Sequence, residues 1–164
     1  MIETPGHILT NGEALPDLSL PSVSHGTVSL SDYVKGVWSI VLFYRGNWCP
    51  FCNAQLNAYQ RKLSEFEKLG VRIIAISADP LDEAKQTVEK HHLTFPVLYG
   101  ADPASTAKTF GSSIDNNAHG TYVNSTHFVL EPSGAIAIAV YSSGAIGRIV
   151  PDDALGFIKY MQSA

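Results

Sequence analysis

Both cysteines of this 164-residue chain fall in Trp48-Cys49-Pro50-Phe51-Cys52, where an apolar run ends and an amphipathic pattern begins. A helix starting at Cys49 would turn its unpaired N–H groups and the positive end of its dipole toward that sulfur, which favours a thiolate nucleophile. Cys52 lies about one turn further along the same face. Its thiol can attack a sulfenate or mixed disulfide on Cys49 and close an intramolecular bridge. Pro50 suits the first helical position. The competing readings are two inert buried thiols or half of a metal site. Zinc would need further ligands from the adjacent pair His91-His92 or the scattered His7, His25, His119 and His127. A copper carrier with Cys-x-x-x-Cys would need a longer spacing. No metal and no cofactor is expected.

The elements that must position the pair are legible on either side of it. Residues 37–44 form a nearly continuous β-branched and aromatic run, the pattern of a strand covered on both faces. Its end delivers Arg45-Gly46-Asn47-Trp48 to the motif. Cys52, Leu56, Tyr59, Leu63 and Phe66 then trace one helical stripe that Gly70 closes. Residues 71–78 read as a second buried strand, completing a right-handed βαβ unit. Asp79 and Pro80 are expected to cap and open another helix, which ends near His91-His92. A short strand at 96–99 and a short helix at 105–110 follow. Residues 111–124 read as a polar loop, long enough to suggest function. Strands at 127–130 and 135–141 flank the turn residues Glu131-Pro132-Ser133-Gly134, so the sheet is mixed. Pro151-Asp152-Asp153 opens a terminal helix, its acids matching the helix dipole. Residues 1–36, punctuated by Pro and Gly, read as an N-terminal extension with a small hairpin and a helical turn at Ser31-Asp32 that Gly36 stops. The whole span 1–164 is expected to be one α/β domain.

Composition narrows the function further. A net charge of -4 leaves no basic footprint for nucleic acid or anionic lipid, so neither nucleic acid nor membrane is an expected partner. Hydrophobic residues make up 45% and charged residues 16%, which suits a large core rather than disorder. Residues 1–12 show no basic segment followed by an apolar stretch, so the cytoplasm is the expected location. Two cysteines in a reducing compartment point to catalysis or metal binding rather than a structural staple.

The order of elements resembles the thioredoxin fold, with a central mixed β-sheet flanked by helices on both faces. Phe43-Tyr44-Arg45-Gly46-Asn47-Trp48-Cys49-Pro50-Phe51-Cys52, then Gln55-Leu56, Ala75-Ile76-Ser77-Ala78-Asp79-Pro80 and Phe95-Pro96-Val97-Leu98, resemble the peroxiredoxin-like (alkyl hydroperoxide reductase and thiol-specific antioxidant) family, in a subgroup with Arg-Gly-x-Trp-Cys-Pro-x-Cys. Two departures stand out. The family's Pro-x-x-x-Thr-x-x-Cys pattern has Leu42 and Gly46 where Pro and Thr would be. The family's Arg on the strand opening the closing hairpin falls at Ser125. The cis-Pro of thioredoxins corresponds to Thr126, which becomes a substrate-binding candidate.

The resemblance implies a thiol-dependent peroxidase reducing hydrogen peroxide or organic hydroperoxides. Cys49 would form a sulfenate, Cys52 would resolve it, and a thioredoxin- or glutathione-type reductant would recycle the pair. A homodimer is implied on the same grounds. Arg45 would supply the charge that the usual Arg gives, Gly46 would let the loop approach substrate, and Trp48 would cover the thiol or help recognition. The alternative for Arg45 is a surface ion pair with Asp79. His127 is either a proton shuttle or, more in keeping with a strand, a hydrogen-bonded core histidine. Two further functions remain open: a general thiol-disulfide oxidoreductase, favoured by the absent Thr and Arg, and a non-enzymatic redox-sensing module read through the 111–124 loop.

Overall fold

The computed structural model describes residues 6–164, so the first five residues of the expected extension lie outside the described residues. In chain order the elements are β1 (Ser19–Pro21), β2 (Thr27–Ser29), α1 (Leu30–Val34), β3 (Ser39–Phe43), α2 (Pro50–Arg61), α3 (Leu63–Lys68), β4 (Arg72–Ile76) and α4 (Leu81–His91). There follow β5 (Val97–Leu98), α5 (Pro103–Phe110), β6 (Ile114–Asn117), β7 (Gly120–Val123), β8 (Thr126–Leu130), β9 (Ile136–Tyr141) and α6 (Pro151–Ser163).

The five-stranded sheet runs β5-β4-β3-β8-β9, with β3, β4 and β5 parallel and β8 antiparallel to β3 and to β9. Both faces of β3 are buried, which explains its unbroken apolar run. Ile40, Leu42 and Tyr44 pack with Cys49, Cys52, Leu56 and Tyr59, and with Leu155 and Ile158 of α6. Val41 and Phe43 face the other way, onto Leu30 and Val34 of α1 and Phe110 of α5. Helices therefore cover both faces. The β1-β2 hairpin ends against the β5 edge, where the Val23 N–H donates to the Val97 carbonyl at 3.0 Å. At the opposite edge the Gly12 N–H donates to the Ile136 carbonyl at 2.8 Å. The N-terminal segment thus blunts both edges of the sheet.

Four expectations need correction. The helical stripe from Cys52 to Phe66 is divided between α2 and α3 at Lys62, which has φ -100 and ψ 2. Its N–H is shared between the Ala58 and Tyr59 carbonyls, a tightened turn that leaves Phe66 stacked on Tyr59 with centroids 5.7 Å apart. The helical turn α1 is capped by Ser29 rather than started at Ser31-Asp32. Asp79 does not cap α4; Pro80 occupies that place without a side-chain bond, and the carboxylate turns inward. Finally, the polar loop is largely the hairpin β6-β7, with Asn117 pairing Gly120 across a two-residue turn. Gly120 has φ +103, and the His119 N–H donates to Asn117 Oδ1 at 2.8 Å, the chemistry of a tight turn. Gly70 does follow the helix as expected, with φ +73.

The Ile149 carbonyl, in the segment after β9, is one point at which that segment is held to α2. Tyr59 donates its hydroxyl to Ile149 O at 2.9 Å, and Gln55 Nε2 reaches the same oxygen at 3.4 Å. Tyr59→Phe removes the shorter bond from a buried acceptor and should cost about 1–2 kcal/mol. Urea unfolding measures it; an unchanged midpoint would show that the bond contributes nothing net.

Candidate active site

Cys49 is the N-cap of α2, in an extended conformation, with Pro50 next at the first helical position. Its sulfur takes the place usually held by a capping oxygen and accepts the Cys52 N–H at 3.3 Å. The Cys52 thiol donates to the same sulfur at 2.7 Å. Both donors come from one residue, one turn along. Both cysteines are free thiols and fully buried.

Two guanidinium groups converge on the pair. Arg45 Nη1 lies 3.8 Å from Cys49 Sγ, and the Arg45 N–H donates to Cys52 Sγ at 3.4 Å. Arg148 Nη2 lies 3.2 Å from Cys52 Sγ and 3.7 Å from Cys49 Sγ. Arg148 is itself held by the Gln55 carboxamide oxygen at 3.0 Å and by the Ala145 carbonyl at 3.0 Å. The Nε atoms of both arginines are buried donors with no partner among the described residues.

These contacts split the two thiols. Cys49 is pulled down to about 5, first by the Cys52 thiol donating to it and then by the Cys52 N–H, Arg148 and Arg45, against burial. Cys52 is pushed up, first because its hydrogen is given to Cys49 and then by burial. At neutral pH the site holds one thiolate and one thiol, the division needed by a nucleophile and its later partner.

The loop before the motif is fixed from several sides. Asn47 N–H donates to Asp79 Oδ2 at 2.9 Å, and Asn53 Nδ2 donates to the Asn47 carbonyl at 2.8 Å. Asp79 is raised to about 7, chiefly by burial. A Cβ at Gly46 would run into Trp48 Nε1 and come within 3.0 Å of Asp79 Oδ1, so glycine is required by crowding from within the chain. The Trp48 ring lies between the motif and the β6-β7 hairpin, parallel to His119 at 5.1 Å and edge-on to Tyr122 at 4.9 Å.

Of the residues expected to form the site, Cys49, Cys52, Arg45, Gly46 and Trp48 are gathered here. Arg45 goes to Cys49 and Tyr122, while Asp79 serves the Asn47 N–H. Thr126 stands apart: its hydroxyl donates to the Asn124 carbonyl at 3.0 Å and accepts from Ser112 Oγ at 2.8 Å. It lies on the sheet face of its cross-strand partner Phe43, opposite the thiols. His127 is buried and held neutral, its value lowered to about 3 by burial and then by Arg148, with Nδ1 accepting the Ile149 N–H at 3.5 Å. Among the described residues no group of three or more His, Cys, Asp or Glu side chains gathers to hold a metal.

Sequence reasoning missed Arg148, Gln55 and Tyr122. Arg148 sits in an irregular stretch before Pro151, and the only signal was scarcity, since the chain has four arginines. The place of the family's usual Arg, Ser125, holds a buried hydroxyl with no partner among the described residues.

The AhpC/TSA family pattern matches residues 11–139. The chain belongs to that family. A peroxiredoxin of Treponema denticola is 29% identical over 159 residues, covering 93% of this chain and 74% of its own length. Among solved structures, a Cys-to-Ser variant of the peroxiredoxin 6 of Arenicola marina superposes with a TM-score of 0.81 at 19% identity, covering 94% of this chain and 74% of that one. Peroxidoxin BcpB from Mycobacterium tuberculosis gives 0.78 at 20% identity, covering 94% and 99%. These likenesses show the thioredoxin fold of this AhpC/TSA member. No helix among its described residues is long and apolar enough to cross a membrane.

The charge arrangement predicts a thiolate signal that titrates far below an ordinary thiol. Ultraviolet thiolate absorbance of the reduced protein should appear as pH rises through about 5. Arg148→Met should move that midpoint up by about one pH unit. A wild-type midpoint near the ordinary thiol value of about 8.5 would contradict the arrangement.

Proposed function

We propose that Cys49 is the thiol that attacks peroxide and Cys52 the thiol that resolves the product. The peroxidase class itself follows from family membership: the protein is an oxidoreductase acting on peroxide. The observation that supports these two roles is the pair of sulfurs 2.7 Å apart beneath two guanidiniums.

The Cys49 thiolate attacks one peroxide oxygen; an S–O bond forms, the O–O bond breaks, and the leaving alkoxide or hydroxide takes up a proton. Arg45 and Arg148 offset the charge developing on the departing oxygen. The Cys52 sulfur then attacks the sulfenic sulfur, water leaves, and a disulfide joins the two residues. Two electrons from a thioredoxin- or glutathione-type reductant restore both thiols. A reducing cytoplasm that supplies this reductant, and a homodimeric assembly, complete the proposal.

Substrate size is constrained by access. Because both sulfurs are fully buried, a small peroxide suits the closed site, whereas a thioredoxin-type reductant needs the motif to open before it reaches the disulfide. A cleft of about 250 Å³ adjoins the site, lined by Phe51, Ala54, Ala58, Ile146 and Val150 and reaching Gln55 and Arg148. Its apolar walls suit the carbon chain of an organic hydroperoxide.

The roles of the two cysteines can be separated by trapping. Cys52→Ser, given one equivalent of hydrogen peroxide, should yield a stable sulfenate that dimedone labels at Cys49, read by mass spectrometry. Cys49→Ser should consume no peroxide above the rate of a free thiol. Sustained turnover in Cys49→Ser, or dimedone label on Cys52 in the wild type, would reverse or remove the assignment.

A further inference from the structure

Arg45 is the guanidinium nearest to Cys49 on the loop side, yet its contact with that sulfur is long, at 3.8 Å. A flexible side chain at that distance would not stay aimed at a single sulfur without other contacts. The contacts that aim it come from β7. Arg45 Nη2 donates to the Tyr122 hydroxyl at 3.0 Å. The guanidinium carbon lies 4.9 Å from the centre of the Tyr122 ring and 5.0 Å from that of Trp48, and the two rings meet edge-on. Tyr122 is itself buried, and its strand is fastened below by Asn124, whose N–H donates to the Ser113 carbonyl at 2.9 Å. Burial opposes the charge on Arg45, and the Tyr122 hydroxyl is the largest contribution that offsets it.

We propose that Tyr122 is a positioning residue for Arg45, so that the β6-β7 hairpin, outside the central sheet, sets the reactivity of Cys49. The hydroxyl fixes the end of the guanidinium and the ring fixes its plane; the other end is then left facing the sulfur. Phenylalanine isolates the hydroxyl's part, because it would keep the ring in the same packing and lose only the acceptor. The rate part of the test rests on the peroxidase reading; the ionisation part does not.

The test is a double-mutant cycle on full-length reduced protein: wild type, Tyr122→Phe, Arg45→Met and the pair, each checked for an unchanged circular dichroism spectrum. Two quantities are read in all four, the second-order rate with hydrogen peroxide and the pH midpoint of thiolate absorbance. Loss of a hydrogen bond to a charged group should make Tyr122→Phe roughly tenfold slower and raise its thiolate midpoint. Arg45→Met should be at least as slow, and the double variant no slower than Arg45→Met alone, the signature of two residues acting through one contact. Effects that multiply in the pair, or a Tyr122→Phe protein matching wild type in both quantities, would overturn the proposal. If wild type itself reacts with peroxide no faster than a free thiol, the peroxidase reading fails. The thiolate midpoints still decide the role of Tyr122: non-additive shifts support it, and additive or absent shifts overturn it.

Discussion

A sulfur buried away from water carries negative charge only where donors and cations replace the water it has lost. That requirement governs the placing of Cys49. As the N-cap of α2 it receives the N–H and the thiol hydrogen of Cys52, two donors whose positions are set by one turn of helix. Arg45 arrives from the loop before the helix and Arg148 from the segment after β9. The motif with its preceding loop and one segment far along the chain thus share one anion.

The scaffold explains how they are kept in register. Burial on both faces fixes β3, and its end fixes the loop that carries Arg45. Asp79, at the end of the neighbouring parallel strand, gives its carboxylate to the Asn47 N–H instead of capping α4. Its value is raised by the burial this requires, so the loop is held at a local electrostatic cost. On the far side, Gln55 serves two parts of the same assembly: its carboxamide oxygen takes Arg148 and its nitrogen reaches the Ile149 carbonyl. Removing either support would leave a guanidinium less well aimed at the sulfurs rather than unfold the sheet.

Much of this was legible because it is local. The continuous apolar run of β3, the Cys-x-x-Cys at the strand-to-helix junction and the amphipathic stripe of α2 each follow from periodicity within a few residues. Arg45, Gly46 and Trp48 adjoin the motif in sequence, so chain continuity alone brings them to it. What escaped depends on tertiary contact. Arg148 has no neighbour in sequence that marks it, and only folding brings it 3.2 Å from Cys52. The β6-β7 hairpin was hidden by polarity, since its buried residues, Tyr122 and Val123, cluster at one end while Asn116, Asn117 and Gly120 are exposed. Asp79 followed by Pro80 has the sequence of a helix start, and a competing backbone donor claimed its carboxylate. Thr126 corresponds to the cis-Pro of thioredoxins, but alternation along β8 turns its side chain to the opposite face of the sheet.

In the mechanism proposed, Arg45 and Arg148 together take over the work of the Thr and Arg that the family pattern would supply. Stopped-flow mixing of reduced protein with hydrogen peroxide, followed through Trp48 fluorescence, tests it most directly. A second-order rate orders of magnitude above that of a free thiol, reduced in both Arg45→Met and Arg148→Met, is the predicted result. A fast rate indifferent to either arginine, or a wild-type rate no faster than a free thiol, would contradict the account.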